Sequence, residues 1–235
     1  MDLYYLIFVI PAVILSLYAQ IKVKSTFSKY SKVASEKNLT GAQAASFLLK
    51  ANSITDVTIE KIAGNLTDHY SPNEKVLRLS ESVYGKNSIA AVGVAAHETG
   101  HAIQHATKYG PLGLRSSLVP IANIGSRLGP VLVMAGFGLF AGSQSNSALG
   151  QMIVNVGLLL FAGSVAFYLV TLPVEFNASN RAMKILKDAN ALSDEELQYV
   201  KKVLSAAAMT YVASALTAVG NFLRIFLISR NRRKS

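Results

Sequence analysis

Three histidines occur at four-residue intervals in the stretch VGVAAHETGHAIQHA, at His97, His101 and His105. Glu98 follows the first of them, and the rest of the stretch is uncharged and rich in alanine and glycine. On an α-helix, residues four apart lie on one face, about 5–6 Å from each other. Two imidazoles at that spacing can bind one Zn²⁺ through bonds of about 2 Å. The spacing therefore predicts a metal site on a helix.

Glu98 gives this predicted site its chemistry. The segment HETGH matches the pattern H-E-x-x-H, in which the carboxylate beside the first histidine takes a proton from water at the metal. Zinc lowers the pKa of such a water to about 7, which makes a nucleophile available for attack on a peptide carbonyl. A chance match is the alternative, but the position inside a predicted helix argues against it. The stretch predicts a hydrolytic zinc site with Glu98 as its general base.

His105 is a poor candidate for the third ligand. It lies two helical turns from His97, about 12 Å along the axis, so both cannot bind the same ion. A polar residue near the helix end, able to cap its carbonyls, is the simpler interpretation. The metzincin pattern also fails, because Gln104 and Thr107 occupy the places of its turn glycine and third histidine. The chain contains no cysteine, so the remaining ligand must be a nitrogen or oxygen donor from elsewhere.

Glu175 is the candidate for that ligand. It lies in LPVEFNASNRA, directly after an apolar run. A carboxylate that completes a His₂Glu set leaves the fourth position for water, as an open catalytic site requires. Asn177, Ser179 and Arg181 follow closely and could hydrogen-bond to the ligands. On spacing alone, an ordinary glutamate at a membrane interface is an equally good interpretation.

The elements that would position these residues include membrane-spanning helices. The chain has 235 residues, of which 51% are hydrophobic and only 15% charged, a balance typical of membrane proteins. The first apolar run, LYYLIFVIPAVILSLYA, is long enough to cross a bilayer. A cleaved signal peptide is disfavoured, because no basic residue precedes this run and no convincing cleavage site follows it. Further apolar runs cover 128–142, 152–172 and 203–228.

The polar region between the first two runs has its own helix and strand signals. DVTIEKI alternates as a strand does, and NLTDHY and KVLRLS flank the turn SPNE as in a hairpin. Thr40 and Ser88 are expected N-caps in this region, and in the later polar segment Ser193 with Glu196 forms an expected capping box. The sequence predicts a mainly α membrane protein with a small α+β zincin-like catalytic domain and three or four transmembrane helices.

We expect five segments along the chain. They are an N-terminal anchor at 1–20, a zincin-like catalytic region at 21–117, a transmembrane hairpin at 118–172, a third-ligand helical segment at 173–202, and a C-terminal apolar helix with a basic tail at 203–235. The uncharged linker SQSNSALG connects the two helices of the hairpin.

The net charge of +10 does not indicate a nucleic-acid partner, since the basic residues crowd next to apolar runs. Such residues usually face the cytoplasm and anionic lipid headgroups. This bias places 21–117 and 173–202 in the cytoplasm and the N-terminus outside. A crossing by the last run would export the basic tail RNRRKS against the same bias, so the fourth span is left open.

Two motif blocks carry a family resemblance. LTDHYSPNEKVLRLSESVYGKNSIAAVGVAAHETGHAIQHA together with LPVEFNASNRAMKIL resembles the YugP-type membrane zinc metallopeptidases of bacteria, over essentially the whole chain. The arrangement is more distantly similar to HtpX-type and CAAX-processing gluzincins. In those, a glutamate on a later helix completes the site after intervening spans. The resemblance implies a Zn²⁺ cofactor, with His97, His101 and Glu175 as ligands and Glu98 as the general base.

The resemblance also bears on residues around the ligands. HtpX-type proteins place an aspartate four residues after the ligand glutamate, where it orients a histidine. Ser179 stands there in this chain, so Ser179 or Asn177 is the expected substitute. DHYSP belongs to the family pattern as well, and it would put His69 on the hairpin before the active helix, at an edge strand able to pair with an extended substrate. His69 or Arg181 could stabilise the oxyanion; a His69 satisfied by the backbone is the alternative.

The expectation is an integral, multi-pass zinc endopeptidase of the bacterial cytoplasmic membrane, with its site facing the cytoplasm. Its substrates would be membrane proteins or peptides, and its other partner the lipid bilayer. A non-catalytic zinc-binding membrane adaptor is the alternative, although such a protein has no use for Glu98. A soluble secreted protease is excluded by the later apolar runs.

Overall fold

The computed structural model describes residues 2–142 and 147–232, and these are mainly helical. A π-helical turn at Tyr5–Val9 leads into α1 (Ile10–Tyr30), followed by α2 (Gly41–Ala51), β1 (Thr58–Ile62), β2 (His69–Ser71), β3 (Val76–Ser80), α3 (Ile89–Ala106), α4 (Gly110–Gly142), α5 (Ser147–Asp188) and α6 (Asp194–Arg232). The predicted linker SQSNSALG and the basic tail lie in part outside the described residues, at 143–146 and 233–235.

The three strands form one mixed sheet in the order β1-β3-β2. β2 and β3 pair antiparallel, with Tyr70 opposite Leu77, which confirms the predicted hairpin. β1 pairs with β3 in parallel, with Thr58 opposite Val76. β3 is therefore the central strand, and β2 lies at an edge of the sheet.

The predicted helix starts are confirmed by their caps. The Thr40 hydroxyl accepts a hydrogen bond from the Gln43 amide, and the Gln43 side chain accepts one from the Thr40 amide, which completes a capping box. Ser88 caps α3 through the Ala91 amide. Ser193 and Glu196 form the same reciprocal pair at the start of α6. These contacts satisfy amide groups that a helix cannot pair internally.

The chain divides into two compact units. The apolar unit comprises Met1–Tyr18, Gly113–Leu172 and Tyr211–Ser235. The polar unit comprises Ala19–Leu112 and Pro173–Thr210 and contains the whole sheet. The five-segment division drawn from the sequence stays a prediction.

Helix α3 lies in the middle of the polar unit's core. On one side, Ala91 and Ala95 of α3 pack with Leu77 and Leu79 of β3 and Ala45 of α2. A second cluster joins α3 to α2, to the end of α5 and to the start of α6; its buried members include Leu48, Val92, Leu186 and Val200. Being enclosed by other elements holds α3 rigidly, as a helix that carries two candidate metal ligands requires.

The apolar unit has a packed interior and an apolar surface. Val133, Phe137, Val154 and Leu158 form a buried cluster between α4 and α5. Other large apolar side chains stay exposed, including Val131, Met134 and Leu159. An extended apolar surface of this kind suits contact with lipid chains.

Four helices within the described residues are long and apolar enough to cross a bilayer. They cover Tyr5–Tyr30, Gly110–Leu139, Ala148–Asp188 and Asp194–Asn231. The last apolar run, left open by the sequence, meets the same criteria of length and composition as the other three. Its Arg224 forms an ion pair with Asp2, at 2.7 Å between Nη2 and Oδ2. This pairing lowers the cost of a charged residue within an apolar helix.

Replacement of Leu79 by alanine tests the core of the polar unit. Because the Leu79 side chain is fully buried, Leu79→Ala is expected to lower the free energy of unfolding by about 2–5 kcal/mol. Chemical unfolding of the detergent-solubilised protein measures this change. Leu66→Ala, at an exposed position in the same unit, is the matched control and should change stability by less than about 1 kcal/mol. Equal effects of the two substitutions would contradict the described core.

Candidate metal centre

Three side chains from α3 and α5 converge on one point. The Nε2 atoms of His97 and His101 lie 3.1 and 3.4 Å from Oε2 of Glu175. One donor atom from each residue lies within 4.8 Å of the other two. Ligand atoms arranged tetrahedrally around zinc at bonds of about 2 Å lie about 3.3 Å from each other. The donor set and its spacing therefore fit a zinc ion.

Close packing of α3 against α5 makes this convergence possible. A Cβ atom placed on Gly100 would lie only 2.4 Å from the backbone oxygen of Ala178. Any larger residue at position 100 would force the two helices apart. Gly100 thus allows Glu175, one turn before Ala178 on α5, to reach both histidines.

Burial makes the pairing of these groups necessary. Glu175 is only 2% exposed, and a buried carboxylate without partners is strongly destabilising. The side chains of His97 and His101 are 12% and 11% exposed, so the donors face a mostly enclosed space with some access to water. A cation bound between them would neutralise the carboxylate.

Ser179 orients the first histidine. Its hydroxyl lies 3.0 Å from Nδ1 of His97. Ser179 is four residues after Glu175, so both side chains project from the same face of α5 toward α3. With Nδ1 engaged by the hydroxyl, Nε2 of His97 is the nitrogen directed at the Glu175 carboxylate.

Gln104 orients the second histidine and determines its tautomer. The Gln104 amide nitrogen donates to the Val174 backbone oxygen at 2.8 Å and to Oδ1 of Asn177 at 3.0 Å. Because the Val174 oxygen can only accept, the amide has one orientation, with Oε1 toward Nδ1 of His101 at 3.0 Å. His101 must then carry its proton on Nδ1, which leaves the lone pair of Nε2 free for a metal.

Arg181 extends this network. Its Nε donates to Oδ1 of Asn177 at 2.7 Å, and its Nη1 donates to the Thr107 hydroxyl at 3.1 Å. The guanidinium also lies over the ring of Tyr109. Arg181 therefore holds Asn177 in place beside Gln104, and it bridges α5 to the end of α3.

Glu98 adjoins the ligands without belonging to their hydrogen-bond network. Among the described residues, none donates a hydrogen bond to its carboxylate, and the residue is half-buried. Burial raises the pKa of the Glu98 carboxyl above its usual value, against the lowering effect of the two neighbouring histidines. A carboxylate of raised basicity beside a metal can take a proton from water.

The third histidine of the stretch faces the sheet. Nδ1 of His105 lies 2.9 Å from the Tyr70 hydroxyl of β2, and the two rings are in contact. The imidazole ring is directed at Tyr70 and not at the carbonyls that end α3. At that end, the backbone amide of Thr107 contacts the His105 backbone oxygen. His105 ties the end of α3 to the edge strand.

The DHYSP residues have separate positions. Asp68 accepts hydrogen bonds from the Ser80 amide at 2.7 Å and the Ser80 hydroxyl at 2.9 Å. Burial raises the pKa of the Asp68 carboxyl, against the lowering effect of these two hydrogen bonds. His69 is exposed, and its Nδ1 lies 2.9 Å from the Thr67 backbone oxygen. His69 therefore has the backbone partner that the sequence analysis gave as the alternative.

Comparison with known proteins decides the family. The sequence model of a family described as "Putative neutral zinc metallopeptidase" matches residues 5–230. The chain belongs to this zinc metallopeptidase family. It is also 44% identical over 224 residues to "Putative membrane protease YugP" of Bacillus subtilis (strain 168), covering 95% of this chain and 96% of that protein. No solved structure gives a significant match.

Family membership agrees with the resemblance drawn from the two motif blocks. With its four apolar helices, this member of the zinc metallopeptidase family is a multi-pass membrane protein. The structure brings His97, His101 and Glu175 together and connects Asn177, Ser179 and Arg181 to them through hydrogen bonds. His69 is not among these contacts.

Sequence reasoning missed two residues of this site. In the sequence Gln104 stands out only as a departure from the metzincin pattern, although its spacing of three residues from His101 places it on the same face of α3. Tyr70 does not stand out in the sequence, because its contact with His105 depends on how the hairpin packs against α3. The first had a signal in the sequence, and the second had none.

Replacement of Gly100 by alanine tests the close packing of the two helices. The added methyl group overlaps the Ala178 backbone, so Gly100→Ala is expected to displace Glu175 and to weaken zinc binding at least about tenfold. Competition with a zinc chelator measures the affinity. Gly85→Ala is the control, since a Cβ there meets nothing within 4 Å. Unchanged zinc affinity in Gly100→Ala would contradict the described contact.

Replacement of Gln104 by leucine tests the orientation of His101. Leucine has nearly the same size but accepts no hydrogen bond, so Nδ1 of His101 loses its partner. Zinc affinity is expected to fall about 10–100-fold. The same chelator competition measures it, with Gln198→Leu on the exposed face of α6 as the control. An equal loss in both variants would show that leucine acts through general destabilisation.

Proposed function

We propose that this protein is a zinc endopeptidase that hydrolyses peptide bonds of membrane or membrane-proximal proteins. One observation supports the proposal: the Nε2 atoms of two histidines and the Glu175 carboxylate converge beside the carboxylate of Glu98, to which no described residue donates a hydrogen bond. A purely structural zinc site is usually closed by four protein ligands. Here three protein donors converge, and a general base adjoins them.

Each residue has a defined role in this proposal. Zinc, when bound by His97, His101 and Glu175, would polarise the scissile carbonyl and lower the pKa of water. Glu98 takes a proton from the attacking water and delivers it to the leaving amine. Ser179 and Gln104 orient the two imidazoles, and Gln104 also fixes the tautomer of His101.

The edge strand β2 is the proposed binding surface for the substrate backbone. It lies at the border of the sheet and contacts α3 through Tyr70 and His105. An unpaired strand edge can add an extended peptide through backbone hydrogen bonds. Such pairing favours cleavage of an extended segment, because the paired backbone aligns the scissile bond beside α3.

We place the polar unit in the cytoplasm, with the bilayer as the second partner. Support comes from the five lysines that follow the first apolar run: Lys22, Lys24, Lys29, Lys32 and Lys37. If all four candidate helices cross the bilayer, the basic tail would lie outside the cytoplasm. It would then be an exception to the usual cytoplasmic position of lysines and arginines next to membrane spans. A site held next to the bilayer favours substrates that are themselves anchored there.

Replacement of Glu98 by glutamine tests the reaction. Glutamine cannot accept the proton, so Glu98→Gln is expected to lower the cleavage rate about 10²–10⁴-fold while zinc content is retained. His101→Ala, which removes a ligand, should lose zinc and activity together. Zinc content and cleavage of a casein-like substrate by the purified protein measure both effects, and removal of zinc by a chelator should abolish cleavage until zinc is restored.

The control is Glu81→Gln, an exposed carboxylate outside the candidate ligand set, which should keep zinc and cleavage. If both proteins bind zinc and cleavage is the same in the parent protein and in Glu98→Gln, the proposed reaction is contradicted. This result would favour a zinc-binding membrane adaptor instead.

A further inference from the structure

A basic groove lies in the polar unit, on the part of its surface formed by α1 and α6. Its cavity volume is about 650 Å³, within the range of sites for small ligands. On α1, the lining residues recur at the spacing of one helical face, from Lys22 to Lys29. On α6, the same spacing runs from Gln198 through Lys201 and Lys202 to Met209. Two helical faces thus form opposite walls of one groove.

The groove is lined by groups that bind anions. Four lysines line it, two from each helix, together with hydroxyl groups such as those of Ser25 and Ser205. No acidic side chain lines the groove, and none of the four lysines forms an ion pair with a described residue. Lys29 and Lys202 pack over the rings of two stacked tyrosines, Tyr30 and Tyr199. The positive charge is therefore available to a ligand.

The groove also has an apolar part at one end. Lys22 follows the first apolar run by three residues, so this end of α1 adjoins a candidate membrane span. On α6, Ala206 and Met209 line the groove where the last apolar run begins. A ligand that fits has an anionic group for the lysines and an apolar portion for the surface beside Met209.

We propose that this groove binds the headgroup of an anionic phospholipid such as phosphatidylglycerol. The phosphate lies between the lysines of the two helices, and the first part of an acyl chain follows the apolar end. Clusters of lysines at the end of a membrane span attract such lipids. A nucleic acid fits this groove poorly, because its charge repeats over a length that far exceeds a cavity of this volume. The bound lipid would link α1 to α6 next to the bilayer.

Native mass spectrometry of the full chain in a neutral detergent tests the proposal, with phosphatidylglycerol and phosphatidylcholine as probes. We expect one phosphatidylglycerol molecule to be retained and phosphatidylcholine to be released. One lysine beside an anionic lipid strengthens binding roughly fivefold, so the double variant Lys22→Gln with Lys201→Gln should weaken it roughly 30-fold. The variant Lys22→Arg with Lys201→Arg keeps the charge and should retain the lipid.

The matched control is Lys24→Gln with Lys187→Gln, which removes two exposed lysines of the polar unit outside the groove. It should change phosphatidylglycerol binding by less than about twofold. Equal weakening in both glutamine variants would show diffuse attraction instead of a site and would overturn the proposal. So would loss of the lipid from the arginine variant, or its displacement by inorganic phosphate at millimolar concentration, which would identify a free-phosphate site.

Discussion

The contact between Gly100 of α3 and the Ala178 backbone of α5 is the constraint on which the rest of the polar unit depends. Two candidate ligands belong to one helix and the third to the other, so the donor distances are set by how closely these helices approach. Small residues along α3 allow neighbouring elements to approach this helix closely on several sides. Its alanines contact the sheet and α2, and Gly100 contacts α5. The tight enclosure of α3 and the geometry of the metal centre therefore have the same cause.

Around the ligands, uncharged side chains hold the histidines in place. A carboxylate commonly accepts the second N–H of a metal-bound histidine, but here a serine hydroxyl and a glutamine amide contact the Nδ1 atoms. These neutral partners leave Glu175 and Glu98 as the acidic groups beside the two histidines, which limits the charge repulsion in a buried space. Arg181 is connected to the site by hydrogen bonds through Asn177 and Gln104.

Much of the fold could be predicted from the sequence, because many of its signals are local. Caps at Thr40, Ser88 and Ser193, the hairpin around SPNE and the apolar runs all depend on residues within a few positions of each other. The pairing of His97 with His101 is local too, since one helical turn separates them. Glu175 is a candidate ligand because of its position after an apolar run and the family resemblance, and neither signal depends on distance in the fold.

Features that depend on tertiary packing could not be predicted in the same way. The parallel pairing of β1 with β3 brings together segments that have no shared signal in the sequence. The contact of His105 with Tyr70 requires the hairpin to lie against α3, and the lysine groove requires two helices from opposite ends of the chain. Only the physical arrangement of the elements gives these residues their partners.

The order of the ligands along the chain has a consequence for biosynthesis. His97, Glu98 and His101 leave the ribosome before α4, whereas Glu175 follows the apolar part of α5. A nascent chain that has completed α3 therefore lacks the third donor, the Ser179 hydroxyl and the Asn177 amide. The candidate metal centre can be completed only after the two intervening apolar helices have been synthesised. During translation, the H-E-x-x-H helix therefore emerges before the full set of candidate ligands can assemble.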